Sequence, residues 1–372
     1  MKKVILGVIV AALVIAATII VRNAKRGTDT GSNPDNKPVV KIGAQFPLTG
    51  DMSDLGVVAQ KALTKSIEDA NNNPENKLHY ELLVEDNQFK PLVANSIANK
   101  LISVNKVNVL VDEYASIARV TAPLAEKNKI PSFHHAISSD FINSKYNFIN
   151  YPTNEEIAER AVRLLNGKNI KNVTIAFANY GPAEEMLKGL LPKLEYNNIT
   201  FTIERFNYTE KDFNILVGKI KHRNTDAVIV FSPLPALDIL AREFNRQNIG
   251  KTIIFLVSAD LSNRLDIFEG MYAVSIVHTP VSLREHIGFG DDEHARKVTP
   301  IYDTGTFITQ AFEKAYDGTH IPTGDEVADQ LLSQREYQGY QNICTLDERG
   351  QFHSRTETYI VKNGKFVLVT ED

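Results

Sequence analysis

Several polar stretches stand just beyond apolar runs of strand length, and their residue types set the chemistry they could do. After VNVLV come Asp112 and Glu113, and then Ser116 in DEYASIARVTAPLAEKNKIP, where a helical pattern opens. A serine hydroxyl beside free amide donors at a helix start suits an anion such as a carboxylate. Serine also caps helices in any protein, so a plain capping role stands beside that reading. The two adjacent carboxylates would weaken anion binding there unless solvent or a cation screens them. They suit an ammonium group instead, or a solvated loop. His134 and His135 are neighbours at another strand end, so they point to opposite sides and only one can face a ligand. No second histidine has metal-ligand spacing, and the pair reads as structural rather than as a metal site. Tyr180, in FANYGPAEEM, offers apolar area with a polar tip, or ordinary packing. Asp260, in LVSADLSN, follows another strand-length run and suits a helix cap. Asp291, Asp292, Glu293 and His294 sit in a Gly-rich stretch that reads as an exposed loop.

Enzymatic chemistry finds little support in these residues. No Gly-rich dinucleotide fingerprint follows the first strand, and no P-loop, nucleophile elbow or helix-borne zinc motif occurs. The Gly288–Gly290 triplet GFG is too short to count, and no cofactor is expected. The net charge of −4 supplies no basic stripe for phosphates, which argues against nucleic acid as a partner. Cys344 is the single cysteine, so neither an intramolecular disulfide nor a cysteine-pair metal site is possible. It reads as a buried thiol.

The elements that must position these residues alternate along the chain. Strand-length runs at 39–46, 80–85, 107–111, 173–178, 200–206, 227–231, 253–257 and 272–277 alternate with helical patterns, which argues for parallel sheets built from βαβ units. Leu55, Val58, Ala59, Ala62, Leu63 and Ile67 recur at helical spacing, as do Leu92, Ile97, Leu101 and Ile102. Ile157, Ala161, Val162, Leu164 and Leu165 mark a third helix, and Thr306, Phe307, Ala311, Phe312 and Ala315 a fourth. All four stripes read as core. With 372 residues, 43% of them hydrophobic, the chain can fill two cores rather than one. The expected class is α/β, with two doubly wound parallel-sheet lobes.

The N-terminus reads differently. Lys2 and Lys3 precede an uncharged apolar run from Val4 to Val21, followed by Arg22, Lys25 and Arg26. Its length lies near the lower limit for a spanning helix, so residues 1–21 read as an uncleaved anchor, with a cleaved signal segment as the alternative. Residues 22–37 are rich in Gly, Asn, Asp and Ser and read as a flexible linker.

The segment VVKIGAQFPLTGDMSDLGVVAQKALTKSIEDAN, Val39 to Asn71, resembles the start of type I periplasmic solute-binding proteins of the branched-chain amino acid and amide group. The passage YQGYQNICTLDERGQFHSRTETYIVKNGKFVLV is similar to that family's ending. The resemblance implies a three-segment hinge, with one lobe from 38–151 plus 281–333 and the other from 152–280 plus 334–372. It implies that Ser116 holds a solute carboxylate, that Ala136 and Ser138 add backbone or hydroxyl contacts, and that Thr49 and Leu55 line the same end. Tyr180 would pack on the ligand from the second lobe. The acidic residue that meets the solute's ammonium aligns with Ala259, leaving Asp260 beside it and Glu155 or Glu156 as substitutes. Asp112 stands where relatives have glycine, and His134 and His135 where they have serine and proline. The implied function is an extracytoplasmic receptor that captures a small polar solute and delivers it to a membrane permease. A membrane-tethered sensor and a protein-interaction scaffold with the same fold are the alternatives.

Overall fold

The computed structural model describes residues 36–370 apart from Asp51, 291–295 and 354–355, with the backbone alone at Asp260. The expected anchor and linker lie outside the described residues, as does the 291–294 polar cluster. Among the described residues no helix is long and apolar enough to cross a membrane.

The first lobe is built on a five-stranded parallel sheet. Its strands are β1 (Val39–Phe46), β2 (His79–Asp86), β3 (Val109–Glu113), β4 (Ser132–His135) and β5 (Asn147–Ile149), ordered β2-β1-β3-β4-β5. Such strands are covered on both faces, which is why β1 reads as a nearly continuous apolar run. Helix α1 (Ser53–Asn72) covers one face and buries Val58, Ala59, Ala62, Leu63 and Ile67, a stripe at 3.6-residue spacing. It approaches the preceding turn so closely that a Cβ on Gly56 would sit 2.2 Å from the Pro47 carbonyl oxygen, so only glycine fits there. Helices α2 (Pro91–Lys100) and α3 (Ala115–Asn128) cover the other face. Leu92, assigned to the core by its spacing, is 86% exposed at the start of α2.

The second lobe carries a seven-stranded sheet. Its parallel strands are β6 (Asn172–Ala178), β7 (Thr200–Phe206), β8 (Ala227–Phe231), β9 (Thr252–Leu256) and β10 (Tyr272–Ile276). Helices α4 (Asn154–Gly167) and α5 (Gly181–Tyr196) cover one face, and α6 (Asn214–His222) and α7 (Ala236–Gln247) the other. The chain then returns to the first lobe through α8 (Val281–Ile287), α9 (Thr299–Ala315) and α10 (Gly324–Gln334), whose apolar residues join the cluster under β1.

A small antiparallel sheet follows, β11 (Glu336–Gln338), β12 (Ile343–Leu346) and β13 (Phe352–His353). Tyr337, Leu346 and Phe352 are buried in the first lobe's core, so residues 336–353 pack there rather than in the second lobe, where the family resemblance places them. Short hairpin strands carry no signal of which lobe receives them; the fully buried Tyr337 and Phe352 decide it through contact with Phe307. The chain then enters the second sheet as antiparallel β14 (Thr356–Lys362) and β15 (Lys365–Leu368). It thus passes between lobes three times: between β5 and α4, between β10 and α8, and between β13 and β14. Both sheets present the C-terminal ends of their parallel strands toward the interlobe cleft, where open α/β sheets bind ligands.

Candidate functional site

In the first lobe the edge is formed by the ends of β3 and β4. Strand β3 runs two residues past its apolar stretch, so Asp112 and Glu113 belong to the ladder, opposite His134 and His135. Asp112 is 1% exposed, which rules out the solvated-loop reading. His134 Nδ1 lies 2.8 Å from its Oδ1, and the Thr121 hydroxyl of α3 donates to Oδ2. The far ring nitrogen of His134 lies 3.2 Å from Asn147 Oδ1. Asp112 and His134 therefore face α3 as a buried pair, not the cleft. His135 takes the opposite side, as neighbours on a strand must. Its Nδ1–H points to the Asp112 carbonyl at 3.3 Å, and its Nε2 accepts from Thr304 of α9 at 2.9 Å. Burial drives its pKa down to about 4, so it is a neutral imidazole locking β4 to α9.

Glu113 is treated differently from its neighbour. Its Oε2 is shielded from solvent and has no hydrogen-bond partner. Burial first, and the Asp112 carboxylate second, push its pKa up to about 8.

Ser116 lies in the first turn of α3, but it does not cap the helix. The capping position is Tyr114, held at φ 72° and ψ 135°, a region that side chains other than glycine's rarely adopt. The amides of Ile117 and Ala118 bond back to the Tyr114 carbonyl at 3.0 and 2.9 Å. Those of Ala115 and Ser116 have no backbone acceptor among the described residues, so they and the Ser116 hydroxyl remain as donors at the strand ends.

The remaining expected residues divide between the cleft edge and the interior. The Ala136 methyl is buried with Ala118, Ala122 and Phe141 beneath α3, leaving its backbone as the group available to a ligand. Ser138 is 4% exposed and its hydroxyl is engaged with Asp140 at 3.0 Å and Glu185 of α5 at 3.5 Å. Thr49 donates to Asp86 Oδ2 at 2.5 Å. Burial alone would raise the Asp86 carboxyl, but the bonds from Thr49 and the amides of Gln88 and Leu48 hold it below its ordinary value. Leu55 is half-buried in the first turn of α1. Glu155 is exposed, whereas Glu156 ties the lobe crossings together. Its carboxylate accepts from the Thr153 amide at 2.8 Å, Gln351 Nε2 at 2.9 Å and His353 Nδ1 at 2.9 Å. Among the described residues, no group of three His, Cys, Asp or Glu side chains could hold a metal ion.

In the second lobe Tyr180 follows β6 and stacks on Phe231 at the end of β8, with ring centroids 5.9 Å apart and planes inclined by 17°. Tyr208 packs against Tyr180 as well, with ring centroids 5.6 Å apart and planes inclined by 51°. Tyr180 is thus part of an aromatic platform at the lobe's edge, packed within its lobe and presented at the strand ends at once. Val257, just past β9, is held at φ 67°, an outlying conformation for a β-branched residue. Asp260 lies in the short turn Ala259–Leu261, and its side chain lies outside the described residues.

Two connections between the lobes were missed in the sequence. Arg119 of α3 pairs with Asp140 at 3.0 Å and reaches across to Glu185 of α5 at 3.3 Å. Lys297, just before α9, donates to the Val257 carbonyl. Arg119 stands three residues after Ser116, so the two share a helix face, and that spacing was the available signal. Nothing local marks Lys297, whose partner is 40 residues away.

Two doubly wound lobes joined by three crossings define the type I periplasmic binding fold. The chain belongs to the periplasmic binding protein family, whose model matches residues 39–365. Among solved structures it is similar to the leucine-binding protein LivK of Thermotoga maritima, with 19% identity over 89% of this chain and 98% of that one and a TM-score of 0.75. It is also similar to the branched-chain amino acid transporter substrate-binding protein LivJ of Streptococcus pneumoniae in complex with isoleucine, at 17% identity over 89% and 99% of the two chains, TM-score 0.75. A solute-binding protein of an R. palustris ABC transporter, in complex with 4-hydroxybenzoate, matches at 17% identity over 90% and 96%, TM-score 0.73. At these identities the likeness establishes the fold.

Proposed function

We propose that this chain is an extracytoplasmic solute receptor that holds a small amino acid or amide-like molecule between its lobes and delivers it to an ABC-type permease. The observation that carries the reading is the start of α3. The amides of Ala115 and Ser116 and the Ser116 hydroxyl converge at the first lobe's strand ends without backbone partners, a donor set suited to a carboxylate. Leucine, isoleucine and 4-hydroxybenzoate, the molecules named with the similar structures, each carry a carboxylate. The Tyr180, Tyr208 and Phe231 rings supply the apolar surface opposite, and a ligand touching both edges favours the closed arrangement over the open one. The family assignment supports the permease partner, and the apolar run at 4–21 supports export or tethering outside the cytoplasm.

The test is thermal unfolding of the purified protein against amino acids, amides and aromatic acids. A true ligand at a hundredfold excess over its Kd adds about 2.7 kcal/mol to the folded state and raises the midpoint visibly. Ser116→Pro removes both the amide and the hydroxyl at a position where proline fits a helix. It should abolish the shift while leaving the unliganded midpoint within a few degrees. A shift that survives Ser116→Pro would refute the proposed anion site.

A further inference from the structure

Glu113 ends β3 and, unlike Asp112, has been given nothing to bond. Asp112 is met by His134 and Thr121 inside the lobe, whereas Glu113 Oε2 is shielded from solvent with no donor. A carboxylate with a shielded oxygen left this way is costly, and proteins ordinarily pair such groups. Its place explains where a partner could come from. Glu113 is in register with His135, and side chains in register share a sheet face, so it lies on the α9 side at the C-terminal edge of the sheet. The next three residues are Tyr114 in its unusual conformation, Ala115 and Ser116, the donors already assigned to an anion. A carboxylate and a set of unbonded amides thus stand within four residues of one another at one strand end.

The other charges near the cleft do not compete for this role. Arg119 is held by Asp140 and Glu185, and the Lys297 ammonium donates to the Val257 carbonyl. On the second lobe, the described side chains of Tyr180, Phe231, Ser232 and Ala259 at the strand ends carry no charge. Aromatic faces instead accept a cation that is already paired.

We propose that the solute carries a protonated amine and that Glu113 receives it from the first lobe, next to the amides that receive the solute's carboxylate. This rests on reading the cleft as a solute site. The solute class is then a zwitterion or amine rather than a simple carboxylic acid, with both charged ends anchored on the first lobe and the apolar part against Tyr180.

Isothermal titration with paired probes decides it: L-leucine against 4-methylpentanoate, L-phenylalanine against 3-phenylpropanoate, and 3-methylbutylamine alone. The amine-bearing member of the bound pair should bind the wild-type chain more tightly. Glu113→Gln should weaken it roughly ten- to a hundredfold, the span of a charge-assisted hydrogen bond, while leaving the deaminated acid unchanged. The same substitution should not lower the unfolding midpoint, which separates lost recognition from a damaged fold. If the deaminated acids bind equally well and Glu113→Gln changes neither affinity, the amine assignment falls while the receptor reading stands. If no probe binds the wild-type chain, both fall.

Discussion

The two sheet edges that face each other across the cleft are built from opposite materials. The first lobe ends its central strands in charged and imidazole side chains, Asp112, Glu113, His134 and His135, while the second ends them in rings, Phe231 with Tyr180 stacked upon it. Within the first edge the contrast sharpens again. Three of the four polar side chains are consumed by the lobe itself and one carboxylate is left over. Burial therefore says little about function by itself: it is the unmet group, not the buried one, that points to a ligand.

The largest effect expected from breaking this comparison is at Asp112. Asp112→Ala strands His134 and Thr121 in the interior and should cost about 3–5 kcal/mol in urea unfolding, as loss of one member of a buried pair does. An unmoved midpoint would put Asp112 in the same class as Glu113 and erase the contrast.

Glu113→Gln should act in the opposite direction, and only at higher pH. The carboxyl titrates near 8 when folded and 4.5 when unfolded, so between those values the folded chain holds a proton that the unfolded one has released. The fold therefore loses stability as pH rises from about 4.5 to 8, by on the order of 3 kcal/mol, and Gln abolishes that loss. His135 works on the acid side. Its folded value near 4 lies below the ordinary 6.5, so the unfolded chain takes up a proton first and stability drops as pH falls through that window. His135 and Asp303 titrate in both proteins, so the test is the difference between them: the stability of Glu113→Gln relative to wild type should grow from about pH 4.5 to 8. A difference that does not change with pH would show that Glu113 is not the unmet group.

Tyr180→Leu probes the second edge. It keeps apolar volume but removes the stack on Phe231 and Tyr208, costing about 1 kcal/mol of stability and a larger share of ligand affinity. Equal losses in both would make Tyr180 a packing residue only. The smallest effect belongs to Arg119→Ala. The pair with Glu185 is half-exposed and worth under about 1 kcal/mol, but it joins the lobes, so small-angle scattering should show the unliganded protein slightly more extended. Scattering identical to wild type would show that this bridge does not bias closure.

Much of the fold was legible because its signals are local. Strands β1, β7 and β8 were expected with the boundaries they have, since an apolar run bounded by turn residues needs no distant information. The site was legible only in part. Ser116 read as a helix cap or an anion donor alike, because a serine after a strand looks the same in both; the Tyr114 dihedrals remove the cap. Asp112 read as an anion neighbour or a loop residue because its partner His134 is 22 positions away. Residues 336–353 went to the wrong lobe because hairpin strands carry no mark of the surface that will receive them.

What the sequence alone determined is the order and type of the elements, the α/β class and the supply of polar residues at strand ends, all written in periodicities of two and 3.6 along a covalent chain. What only the tertiary structure decided is which of those residues are satisfied. Parallel pairing sets β3 beside β4 through a crossover helix, and it is that register, not proximity in sequence, that places Asp112 against His134 and leaves Glu113 with nothing.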